Sequence, residues 1–154
     1  MSSTSISFED KVRSKHRLRM WLQMLKTTRH LEAALRENMR VEYASTLPRF
    51  DVLAMLDKSG EGLRMSALSR ELMVSNGNVT ALVDRLVEDG LVARVAIPGD
   101  RRATLVQLTD AGHTAFNAMA RTHEVWVEKL LDGVTGGEID QCLETFGKIR
   151  KAET

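Results

Sequence analysis

A chain of 154 residues, 43% of them apolar, is long enough to enclose one core and too short for two independent ones. Its formal net charge of +1 excludes a global field that draws in polyanions, so any nucleic-acid contact has to come from where the cations sit. A single cysteine, Cys142, excludes an intrachain disulfide, and no apolar run approaches the roughly 18 to 20 residues that span a bilayer.

The opening stretch, Met1 to Asp10, is polar and Ser-rich and does not read as a signal peptide, so the expectation is one cytoplasmic unit, residues 1–154, without a membrane partner. Leu, Ala, Met and Val are abundant and aromatics make up only 5%, a balance that favours helices. From about residue 11 to 41, Leu18, Trp21, Leu22, Leu25, Leu31, Ala34, Leu35 and Met39 recur on a helical stripe. The opposite side of this long first helix carries Arg17, Arg19, Lys26, Arg29, Arg36 and Arg40 among Glu32 and Glu37, the composition of a solvated face.

Thr46-Leu47-Pro48 is a start signal, because proline fixes φ and lacks an N–H that the first turn leaves unused; a second helix is expected to about Lys58, with Phe50, Leu53, Ala54 and Leu56 inside. Ser66 is expected to cap a short third helix through Leu72. Ser75 is expected to cap a fourth, in which Val79, Leu82, Val83, Leu86 and Val87 keep helical spacing until Gly90. Two β-rich runs, 91–97 and 103–108, flank Pro98-Gly99-Asp100-Arg101-Arg102 and read as a hairpin. Thr109 should open a fifth helix with an apolar face of Phe116, Met119, Ala120, His123, Trp126, Val127, Leu130 and Leu131. Thr135 with Glu138 forms a capping-box pattern before a sixth helix, whose apolar side holds Ile139, Cys142, Leu143, Phe146 and Ile149. Cys142 is expected there as a packed, inert thiol.

The fold class expected is mainly α with a small β-hairpin wing. A short helix, a turn, a capped helix and then a hairpin is the grammar of a winged helix-turn-helix, whose second helix enters the major groove. The apolar stripe of that helix faces inward, which turns Asn76, Gly77, Asn78, Thr80, Ala81, Asp84 and Arg85 outward. Asn pairs bidentately with adenine, Thr meets a thymine methyl, and small residues permit close approach. Arg101 and Arg102 at the hairpin tip, beside Asp100, suit phosphates or a narrow minor groove. Alone, the helix segment reads equally as a plain capped helix start, and the hairpin tip reads better as a surface turn held by a weak ion pair.

Residues 99–112, Gly99-Asp100-Arg101-Arg102 through Leu108-Thr109-Asp110-Ala111-Gly112, match at every fixed position a wing signature of Asp-any-Arg, five residues, Leu-Thr, two residues, Gly. Together with Leu68-Ser69-Arg70-Glu71-Leu72 and Ser75 to Leu86, they resemble the multiple-antibiotic-resistance (MarR) family of regulators over essentially the whole chain. That resemblance implies a homodimer held by residues 11–45 and 110–152, with residues 47–109 binding half of a pseudo-palindromic operator in double-stranded DNA. It implies that Asp100 holds Arg102, that Arg101 or Arg102 reaches the minor groove, and that Ser75, Asn76, Asn78 and Thr80 address bases or phosphates. Ser66, Ser69, Arg85 and Arg94 are further backbone candidates.

The resemblance also implies release of DNA by a small effector in a cleft between the dimer region and the winged helix. Trp21, Met24, Leu25, His30, Arg36, Arg40, Arg49, Phe50 and Met55 are the lining candidates, though Met and aromatic stripes are more often plain core. Thr46 to Asp51 and Leu72 to Ser75 resemble a subgroup that controls aromatic-acid degradation, which implies an aromatic acid or its coenzyme A thioester as effector. With no Gly-rich phosphate loop, nucleophile elbow or metal-ligand cluster, and with His16, His30, His113 and His123 apart from acids, neither catalysis nor a cofactor is expected. The competing class is a winged helix used only to bind protein, which a wing without cations would mark.

Overall fold

In a computed structural model describing residues 7–152, the long first helix, α1, runs Phe8–Tyr43. The Ser7 hydroxyl accepts the Asp10 N–H at 3.1 Å, and Glu9 and Asp10 occupy the first turn, where the positive end of the helix dipole favours acids. Residues 1–6 of the polar opening stretch lie outside the described residues, as do 153–154. Among the described residues, no helix is long and apolar enough to cross a membrane.

The second helix, α2 (Leu47–Ser59), starts as the sequence suggests, with the Thr46 hydroxyl accepting the Arg49 N–H and a proline in its first turn. Phe50, Val52, Leu53 and Leu56 are its buried residues, whereas Ala54 is only half-buried. A strand the periodicity missed follows, β1 (Leu63–Arg64), and runs straight into α3 (Met65–Leu72). Pairing of Leu63 with Val106 and Arg64 with Leu105 keeps the chain extended up to Arg64. Arg64 therefore holds the N-cap position and makes no side-chain capping bond, while Ser66, expected as the cap, sits inside the first turn. The Ser75 hydroxyl accepts the Asn78 N–H at 3.3 Å and opens α4 (Asn76–Glu88).

β2 (Val92–Ile97) and β3 (Asp100–Leu108) form the expected hairpin, and β1 joins it to give an antiparallel sheet in the order β1-β3-β2. Val79, Val83 and Leu86 of α4, Leu53 and Leu56 of α2, Leu68 of α3, and Val92 and Val106 of the sheet share one core with Met39 of α1. α5 (Asp110–Leu130) extends this core through Met119 and Trp126. Its cap, Thr109, accepts the Gly112 N–H at 3.0 Å and donates its hydroxyl to the Gly90 carbonyl at 2.7 Å, tying the end of the wing to the end of α4. α6 (Gly136–Lys151) starts with the anticipated capping box between Thr135 and Glu138 and buries none of its residues. Cys142 is accordingly exposed within the single chain, which corrects the packed thiol expected from its place on an apolar stripe. The stripe exists, but nothing in the chain itself covers it.

Candidate nucleic-acid interface

α4 divides cleanly between two environments. Val79, Val83 and Leu86 anchor it in the core, while Asn76, Gly77, Asn78, Thr80, Ala81, Asp84 and Arg85 are all exposed on the other side. The Thr80 hydroxyl donates to the Asn76 carbonyl at 2.8 Å, which leaves its oxygen able to accept. Among the described residues the side-chain amides of Asn76 and Asn78 make no hydrogen bond, so their donors and acceptors remain available to a ligand. An exposed Met73 sits in left-handed backbone, φ 54°, at the turn leading into this helix.

The wing differs from a plain hairpin with an arginine tip. Pro98 and Gly99 make the turn, with Gly99 at φ 86°. Ala96 pairs with Thr104, but the next residue, Ile97, pairs with Asp100, so Arg101, Arg102 and Ala103 bulge out of register. The Asp100 carboxylate accepts the backbone N–H of Arg102 at 3.1 Å. It thus holds the main chain of the bulge rather than a guanidinium, and among the described residues neither Arg101 nor Arg102 forms an ion pair. The ion-paired surface turn is therefore not what the structure contains.

Two of the residues expected at backbone, Arg94 and Ser69, have other partners. Arg94 of β2 pairs with Asp84 of α4, which links the wing to the outward helix and occupies its guanidinium. Ser69 is 8% exposed and donates its hydroxyl to the Val74 carbonyl at 2.6 Å, so it closes the turn between α3 and α4 and is withdrawn as a phosphate contact. Arg85 reaches Glu88 at 3.8 Å with both side chains in solvent, a loose pair that leaves it free to turn. Ser66 is exposed and lies in a groove of about 230 Å³ with Arg64, Met65, Arg102, Ala103 and Thr104. The sequence assigned no contact to Arg64 or Asp84, which the structure places in the groove beside Arg102 and in the pair with Arg94; the hint for Arg64 was a cation where a helix start prefers a small hydroxyl.

The nine effector candidates do not share one environment. Trp21, His30, Arg36 and Arg40 are exposed, and Arg40 is held by Glu37, with N–O distances of 2.6 and 3.0 Å. Met24, Leu25, Arg49 and Met55 are half-buried. Phe50 is buried, stacked on His123 at 4.7 Å and on Phe116 at 5.7 Å, so it is core rather than a free lining residue. A cleft of about 500 Å³ runs between the start of α2 and the side of α4, lined by Pro48, Arg49, Val74, Asn78, Ala81, Leu82 and Arg85; of the nine, only Arg49 lines it. Near His123, loss of solvent pushes the Asp51 carboxyl up, with His123 opposing the shift and Glu32 adding to it. His113 also has an acid close by, Asp57 at 3.6 Å, contrary to its expected isolation.

The family model described as "MarR family" matches residues 46–103, a span running from the cap of α2 to the wing bulge. The chain is 30% identical over 112 residues to the HTH-type transcriptional regulator PecS of Dickeya dadantii, covering 71% of this chain and 68% of that one. It is 31% identical over 101 residues to the HTH-type transcriptional repressor MdtR of Bacillus subtilis, covering 66% and 64% of the two chains. The crystal structure of a MarR family transcriptional regulator from Silicibacter pomeroyi superposes with a TM-score of 0.80 at 30% identity, covering 92% of this chain and 98% of the other.

Proposed function

Because this chain belongs to the MarR family of HTH-type transcriptional regulators, we propose that it acts as a homodimeric, ligand-responsive repressor that places two winged helices on a pseudo-palindromic operator. The observation that carries this reading is an outward α4 edge, rich in amides and small residues, beside an arginine bulge that has no counter-ion among the described residues, both in one winged helix. Asn76, Asn78 and Thr80 would read base edges from the major groove, with Ser75 at a phosphate. Arg101 or Arg102 would enter the flanking minor groove, whose potential attracts a guanidinium. Arg85 is a backbone contact in this reading, and Asp100 and Arg94 position the wing. Residues 47–109 form the DNA-binding region, and residues 11–45 and 110–152 hold the dimer.

Replacing Arg101 and Arg102 together with Ala is expected to weaken operator binding strongly and to flatten its salt dependence, while the circular-dichroism melting curve stays that of the parent. Unchanged affinity in a gel-shift series removes the wing from the mechanism.

The effector proposed is an anionic aromatic acid or its coenzyme A thioester. Support comes from α1, which after Glu9 and Asp10 carries Lys11, Arg13, Lys15, Arg17, Arg19, Lys26 and Arg29 before its next acid, Glu32. Such a run suits the phosphates of a nucleotide tail. The ligand must favour a dimer geometry in which the two α4 helices no longer match the operator. Calorimetric titration with hydroxycinnamoyl- and benzoyl-coenzyme A is expected to release heat beyond dilution; a flat trace for both sinks this choice of ligand.

A further inference from the structure

We propose that Arg64, which the wing signature does not include, is a DNA-backbone contact that takes a phosphate of the strand flanking the minor groove entered by the wing. The inference rests on the DNA-binding reading above and adds to it a residue from the opposite edge of the sheet.

Arg64 is the last residue of β1, and its pairing with Leu105 fixes it against β3 through the backbone rather than through a loop. From there it shares the 230 Å³ groove with Ser66 on one side and with Arg102 and Thr104 on the other. No carboxylate lines this groove, and among the described residues neither arginine has an acidic partner. Two guanidinium groups beside one small groove repel each other until something negative lies between or over them. Every charged lining group is a cation and the remaining polar side chains are hydroxyls, a set that matches phosphate oxygens.

The local sequence cost points the same way. Arg64 occupies the N-cap of α3 without capping it, where serine or threonine would satisfy a first-turn N–H. A residue that breaks a local rule without a compensating contact in the fold is expected where function needs it. The groove abuts the bulge that carries Arg101 and Arg102, so a duplex seated on the wing brings its own phosphates to this place.

The test uses the full chain and a duplex that it selects from a randomised pool, with affinity followed by fluorescence anisotropy across a salt series. Arg64→Ala is expected to weaken binding about tenfold and to reduce the slope of log affinity against log salt by about 0.9. The same factor should appear on weaker duplexes, because a phosphate carries no sequence information. Arg64→Lys should retain the parental slope. Arg64→Ser should lose slope as alanine does, yet raise Tm by a few degrees because it caps α3. Parental affinity and slope in both the alanine and serine variants overturn the proposal, as does a loss of affinity that tracks a lowered Tm with no change of slope. Failure of the parent chain to select any duplex removes the DNA reading itself, an outcome distinct from equal binding by parent and variant.

Discussion

A β-carbon at position 112 would lie 1.9 Å from the Leu91 carbonyl oxygen, so α5 can begin beneath the entry to β2 only if that residue is glycine. Gly112 is legible in the sequence as the last letter of the wing signature, but its reason is not, because the obstructing atom belongs to backbone far away in the chain. Gly112→Ala is expected to destabilise the fold by about 1–3 kcal/mol, the usual range for forcing atoms into a packed site, with a matching fall in the urea midpoint. An unchanged midpoint would mean that the close approach to Leu91 is not real. Ser69 and Arg94 teach a related lesson. The family resemblance offered both to phosphate, yet one hydroxyl is spent on the Val74 carbonyl and one guanidinium on Asp84. Whether a polar group is free depends on partners that no local pattern specifies.

At the scale of elements, helical periodicity and capping residues located α1, α2, α4, α5 and α6, because a stripe of apolar residues behind a Ser or Thr encodes both a face and a start. β1 escaped, since two residues have no period and Leu63 and Arg64 become a strand only when Val106 and Leu105 arrive beside them. That one omission displaced the start of α3 and hid Arg64. The wing was legible as a hairpin, but the unpaired bulge at 101–103 depends on register, which two runs of similar composition leave open. For α4, the Ser75 hydroxyl is what holds the first turn that presents Asn76 and Asn78. Ser75→Ala is expected to cost about 1 kcal/mol of stability in urea unfolding and to weaken DNA binding more than a comparable cap lost from α2, Thr46→Ala. Equal effects of the two on DNA affinity would show that the start of α4 is not at the interface.

The whole molecule leaves a large apolar surface uncovered. Leu18, Trp21 and Leu22 of α1 are 55%, 54% and 50% exposed, and Leu143 of α6 is 61% exposed with Phe146 and Ile149 beside it on the same stripe. In the homodimer proposed above, a second copy would bury these faces and set the two α4 helices about one helical turn, roughly 10 base pairs, apart. Sedimentation equilibrium is expected to give a dimer for the parent chain and a shift toward monomer for Leu143→Glu, with the winged-helix core still folded and affinity for a two-half-site duplex reduced. A parent chain that sediments as a monomer at micromolar concentration would leave those faces unexplained and the operator geometry without a basis.

Local chemistry was enough to place the helices, the wing and the outward edge of α4, because apolar spacing, capping hydroxyls and a turn proline act over a few residues and are written in order along the chain. Which polar groups remain free, where the third strand joins, how the arginines leave the sheet and what Gly112 avoids were decided only when distant segments met. Those outcomes depend on pairing and steric exclusion between residues far apart in sequence, and a one-dimensional pattern does not contain the distances that govern them.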